Sequence, residues 1–159
     1  MSQVIVTALL TIGAVTAALM VIITLGPSIN ASSSAVMESS KEGANRIKTN
    51  VEIIAVTVDT PGTLVEAWVK NVGMANISPI DKSDVFVITP GTKFVAAAYD
   101  AGAGPDTWKQ GTPVLTTWNR GDTLHIEITL SAGNALGTGD HVLRVSTRNG
   151  IISDMTFSK

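Results

Sequence analysis

From Val4 to Leu25 the chain runs through apolar positions without one charged side chain, and its only polar groups there are the hydroxyls of Thr7, Thr11, Thr16 and Thr24. At ~1.5 Å per residue such a run makes a helix of about 33 Å, which matches the ~30 Å hydrocarbon core of a bilayer. A backbone in lipid must satisfy its own hydrogen bonds, so the segment is predicted to be a helix whose threonine hydroxyls bond back to helix carbonyls. Gly26-Pro27 marks the end of the span. A helix of this kind either ties the rest of the chain to a membrane or packs into a filament of its own kind.

The pattern then thins. Ser28 to Ser40 is rich in serine and alanine, with Ile29, Val36, Ala44, Ile47 and Val51 forming one weak apolar stripe. That spacing carries the helix on as a thin stalk that frays and ends before Asn50. Residues 1–27 are therefore read as the spanning helix, 28–50 as a partly helical stalk, and 51–159 as a β domain.

From Val51 the period changes. V-E-I-I-A-V-T-V, Val51 to Val58, is β-branched, and Asp59-Thr60-Pro61-Gly62 closes it with a turn. In the next strand, Thr63 to Val72, Val65, Ala67 and Val69 share an apolar face until Asn71, while Leu64, Glu66, Trp68 and Lys70 make a mixed one. Asp81 to Asp84 reads as a turn, V-F-V-I as a strand, and Thr89-Pro90-Gly91-Thr92 as a tight link into K-F-V-A-A-A-Y. Ala101 to Gly111 is predicted to be a turn-rich loop holding Trp108, followed by strands at Val114 to Trp118 and Thr123 to Leu130. In the latter, Leu124, Ile126, Ile128 and Leu130 alternate with Thr123, His125, Glu127 and Thr129, the cleanest period-2 signal in the chain. Ser131 to Asp140 is a further loop. Asn149-Gly150 then joins H-V-L-R-V-S-T-R to I-I-S-D-M-T-F as a hairpin. Roughly seven to nine strands with no convincing helix among them predict an immunoglobulin-like antiparallel β-sandwich, and a mainly β fold after the N-terminal helix.

Composition narrows the function. A net charge of −2 without a dense Lys/Arg cluster leaves no electrostatic footprint for nucleic acid. The absence of cysteine excludes disulfides, thiolate zinc sites and cysteine nucleophiles. His125 and His141 fall in predicted strands without an Asp/Glu/His spacing that makes a ligand set, so the expectation is no metal. The aspartates at 81, 84, 100, 106, 122 and 140 fall where turns need them, and no calcium-loop pattern occurs. No catalytic serine, phosphate-loop or dinucleotide motif is present, so neither enzyme activity nor a cofactor is expected. The sequons at Asn30 and Asn76 are candidate N-glycosylation sites, and Trp108, in its loop, is a candidate interaction residue.

Met1-Ser2-Gln3 offers no basic n-region, and the apolar run exceeds the ~7–15 residues of a signal peptide, so an uncleaved anchor is expected. The flanking charges do not orient it: Lys41, Arg46 and Lys48 are distant and mixed with Glu38 and Glu42.

Together, the apolar helix without a basic leader, R-I-K-T-N-V-E-I-I (Arg46 to Ile54), W-V-K-N-V-G (Trp68 to Gly73) and K-S-D-V-F (Lys82 to Phe86) resemble the archaellum (archaeal flagellum) accessory proteins of the F and G types, with the G type favoured. The resemblance implies an anchor in the cytoplasmic membrane and an extracytoplasmic β-sandwich serving the stator of a motility machine. It also implies self-association, contact with other archaellum subunits and with surface-layer protein, and no active site. Two other readings remain open: a pilin- or archaellin-like filament subunit, and a membrane-tethered β-sandwich that binds a ligand or ion.

Overall fold

A computed structural model describes residues 2–159. Met1 and the side chains of Leu25, Gly26 and Ile29, which the apolar-run and stripe readings included, lie outside the described residues. The chain divides into two compact units, Met1–Gly43 and Ala44–Lys159.

Helix α1 runs from Ser2 to Lys48 as one element, with Pro27 inside it. The apolar run stops before that proline, but the helix does not. Proline has no N–H for the Ile23 carbonyl four residues back and crowds it as well, which weakens the ladder at one point only. The serine-rich stretch is helical throughout.

Eight strands follow: β1 (Val51–Val58), β2 (Leu64–Asn71), β3 (Asp84–Thr89), β4 (Lys93–Tyr99), β5 (Thr107–Gln110), β6 (Thr123–Thr129), β7 (Asp140–Ser146) and β8 (Ile152–Ser158). Their spatial order is β1-β2-β6-β5-β4-β3-β7-β8. Each pairing is antiparallel except β4 with β5, which is parallel. The two outer strands approach each other, and the Ile53 amide donates to Ser153 Oγ at 3.2 Å, so the sheet nearly closes on itself. This is the mainly β sandwich that the alternating pattern predicts.

Alternation explains the core. Val65, Ala67 and Val69 of β2 face Leu124, Ile126 and Ile128 of β6 inside the domain, together with Val85 and Val87 of β3 and Leu143 and Val145 of β7. A one-residue slip in any of these strands would turn its apolar set outward, so burial fixes the register. In β1 a bulge at Ile53/Ala55 adds one residue, the exposed Ile54, and resets the alternation after it, so Val51 and Ile53 before it and Val56 and Val58 after it all pack against the core. The β7–β8 hairpin closes on Thr147 to Gly150: the Gly150 amide donates to the Thr147 carbonyl at 2.7 Å, and Gly150 takes φ +75°.

Two elements differ from the sequence reading. The predicted loop Ala101 to Gly111 contains strand β5, which pairs β6 on one side and β4 on the other. The predicted strand Val114 to Trp118 does not form; only Trp118 bridges, to Ile77, and Val114 is exposed. Pro113 removes a donor at its start, and Trp118 is held instead by its Nε1 donating to the Asp122 carbonyl at 3.0 Å.

Candidate functional site

The apolar segment Ser2–Thr24 has a mean hydropathy of 2.5 and no buried share. Val4, Leu9, Leu10, Met20, Ile22 and Ile23 all stand open. Apolar area of this extent on a single helix needs lipid or another helix against it. Its four threonine hydroxyls are already bonded. Thr11 donates to the Thr7 carbonyl at 3.0 Å and Thr16 to the Ile12 carbonyl at 2.7 Å, and Thr7 and Thr24 bond back to Gln3 and Met20 in the same way. The helix thus presents hydrocarbon on every side, as the threonine reading requires.

The last turn of α1 belongs to the same compact unit as the sandwich. Helix-terminal carbonyls have no partner within the helix, and here the loop after β2 supplies one. Met74 and Ala75 donate their amides to the Lys48 carbonyl at 2.7 and 3.1 Å. Asn71, fully buried at the end of β2, holds that loop in shape. Its Nδ2 donates to the carbonyls of Ala75 (2.9 Å) and Trp118 (3.0 Å), and its Oδ1 accepts the Gly73 amide at 3.0 Å. Asn149 Nδ2 reaches Thr49 Oγ1 at 2.9 Å from the other side. The W-V-K-N-V-G segment is therefore a clamp on the helix end.

Asn30 is exposed on α1, and Asn76 is exposed just before the buried Ile77. Trp108 is not a loop residue with a free ring. It sits on β5 with no exposed surface, its ring edge-on to Tyr99 at 4.8 Å, so it offers nothing to a partner. Burial was decided by the β5 pairing, which joins residues far apart in the chain.

The two histidines sit in different surroundings. His141 is buried, with Nδ1 2.8 Å from Thr89 Oγ1 and Nε2 3.0 Å from the Gly137 carbonyl, a fully bonded core histidine. His125 lies on the outer face of β6, stacked flat on Trp68 at 4.8 Å. Glu127 follows it on the same face, and the β2–β6 register puts Glu66 directly opposite Glu127. Donor atoms of Glu66, His125 and Glu127 lie within 4.8 Å of one another. The sequence reading missed this trio because one member comes from another strand; the H-x-E spacing of His125 and Glu127 was its only local sign.

The turn aspartates act on backbone. Asp59 Oδ1 accepts amides from Gly62, Thr63 and Leu64 at 2.7, 2.8 and 3.0 Å, and these bonds, that from Leu64 foremost, hold its carboxyl below the usual range. Asp100 is lowered by the amides of Gly102 and Gly104, and Asp106 first by that of Ser131.

Residues 2–157 match the family model of archaeal-type flagellin. The archaellum periplasmic stator protein FlaG from Sulfolobus acidocaldarius is 24% identical with a TM-score of 0.57, covering 69% of this chain and 99% of that one. A chain of the archaellum periplasmic stator complex of FlaF and FlaG from the same organism is 25% identical with a TM-score of 0.56, over 67% of this chain and 87% of that one. The archaeal flagellum of Methanospirillum hungatei strain JF1 is 16% identical with a TM-score of 0.72, over 99% of this chain and 93% of that one. No curated protein sequence matches.

Proposed function

Because the chain belongs to the archaeal-type flagellin family, we propose that it is a stator-type subunit of the archaellum, held in the cytoplasmic membrane by Ser2–Thr24 with its β-sandwich outside. That it is a non-enzymatic, structural component of the archaellum follows from the family and the solved relatives. The finer stator assignment is carried by one observation: an uncovered apolar helix of membrane length on a chain whose sandwich shares the fold of the periplasmic stator protein FlaG over 99% of that protein's solved length. A stationary motor part needs an anchor and a rigid contact domain, not an active site. The clamp at Lys48 ties the end of the helical element into the sandwich, so a load carried by the helix enters the domain through backbone hydrogen bonds. Self-association, an FlaF-like partner, surface-layer protein and membrane lipid are the contacts this reading assigns.

The filament match gives a second reading its support, since it extends over the helix as well as the sandwich. Fractionation separates the two. A stator subunit stays with washed membranes after filaments are sheared from the cells, whereas a filament subunit leaves with the sheared filaments and is depleted from the membranes.

A further inference from the structure

The outer face of the β2–β6 pair places two carboxylates opposite each other, Glu66 against Glu127. Like charges in that position destabilise a sheet unless a cation lies between them. Lys109, next along on β5, meets Glu127 Oε2 at 3.1 Å, and no ion pair joins it to Glu66. His125 Nε2 lies beside this pair, 3.4 Å from Glu66 Oε1. It is buried and has no hydrogen-bond partner even at that distance. A buried ring nitrogen without a partner calls for one.

The ring cannot turn away to find it. Trp68 stacks on one face with the planes 4° apart, and on its Nδ1 side a Cβ at Gly111 would come within 2.0 Å. Nε2 is therefore held in place by packing, which is what a metal ligand needs.

We propose that Glu66, His125 and Glu127 form a binding site for a borderline divalent transition cation of the Zn2+ class. Zinc accepts imidazole nitrogen and carboxylate oxygen at about 2.0–2.2 Å, and two tetrahedral ligands at those lengths stand roughly 3.3–3.5 Å apart. The distance of 3.4 Å between His125 Nε2 and Glu66 Oε1 is already such an edge. Glu127 needs only a side-chain rotation to bring an oxygen in, since all three donor atoms lie within 4.8 Å. The side chain of Glu66 is 37% exposed, so solvent reaches the site and water can take the fourth position. The imidazole and the small ligand count favour Zn2+ over Ca2+ or Mg2+, which want more oxygens. The metal would staple β2 to β6 and neutralise the facing carboxylates, and Lys109 is its built-in competitor for Glu127.

The test is calorimetric titration of Zn2+ into the full chain in detergent, after chelator treatment, with Co2+ absorption to report the ligand field. One saturable site is expected. His125→Gln and Glu66→Gln should each weaken it at least tenfold, while Lys109→Gln should tighten it several-fold by freeing Glu127. Glu66 is partly exposed, so Glu66→Gln keeps the fold if the histidine variant loses it. No saturable binding below about 100 μM, or equal affinity in the wild type and Glu66→Gln, overturns the proposal. The outcome is independent of whether the subunit belongs to stator or filament.

Discussion

Gly73 lies so close to the backbone that follows α1 that a Cβ on it would stand 2.4 Å from the Asn50 amide nitrogen and 2.6 Å from the Lys48 carbonyl oxygen. Both are backbone atoms, and neither can swing aside. Gly73→Ala must therefore open the clamp, at a cost of about 1–3 kcal/mol for overpacking. Thermal unfolding should show a midpoint lowered by several degrees, and a midpoint equal to wild type would contradict this account of the clamp.

Asn71 sits one step deeper. Asn71→Ala removes bonds to Gly73, Ala75 and Trp118 at once; the Gly73 amide and the Trp118 carbonyl keep partners in Asn50 and Ile77, and the Ala75 carbonyl loses its own. Each lost bond is worth roughly 0.5–1.5 kcal/mol, and a group left without a partner about 1–3 kcal/mol. Asn71→Ala should therefore destabilise more than Gly73→Ala. Chemical denaturation that ranks them the other way would place the weight of the clamp elsewhere.

Asp59 gives the pH dependence a sign. Its folded carboxyl is held below the ordinary value by the Leu64 amide first and by those of Gly62 and Thr63, against partial desolvation. Asp154, lowered chiefly by its hydrogen bonds from Arg144, acts in the same direction. A depressed carboxyl adds stability above its unfolded value of about 3.9 and loses it as pH falls through the folded value. The unfolding midpoint should thus be flat from neutral pH to about 5 and fall below about 4. Asp59→Asn should lower the midpoint at neutral pH and flatten the acid limb; an unchanged acid limb would remove Asp59 from the explanation.

What the sequence made legible follows where local pattern and burial agree. Val51–Val58 is bounded as the β-branched run predicts, and the alternation in β6 sends Leu124, Ile126 and Ile128 inward without exception. Thr107–Gln110 was hidden among glycine, proline and aspartate because four residues carry little period, and its pairing with β4 and β6 depends on distant strands. Val114 to Trp118 had strand-forming residues but pairs only through the single Trp118–Ile77 bridge, so propensity lost to topology. The Glu66–His125–Glu127 group follows from register, which a single strand does not display.

The apolar helix makes a direct energetic prediction. Ala14 and Leu19 both face outward on α1. In lipid, arginine at either position costs about 2.5–3.5 kcal/mol on insertion scales. Ala14→Arg and Leu19→Arg should shift the full chain from the membrane fraction toward aggregates or degradation. Retention of both variants in membranes at wild-type levels would argue against a lipid-facing helix.

Topology is the last prediction, and the lack of cysteine makes it clean to test. If Ser2–Thr24 crosses the membrane with the sandwich outside, residues before and after it meet different compartments. Ser2 and Ser34 are both exposed on α1, one at the start of the apolar segment ahead of Val4 and one beyond its end, so a thiol there is sterically open. Serine to cysteine is a small change on an exposed helix surface and should leave the fold intact. In cells with a permeabilised surface layer, a membrane-impermeant maleimide should label Ser34→Cys at once and Ser2→Cys only after lysis. The reverse pattern would put the sandwich in the cytoplasm and end the stator reading. Labelling of both without lysis would show that Ser2–Thr24 does not span.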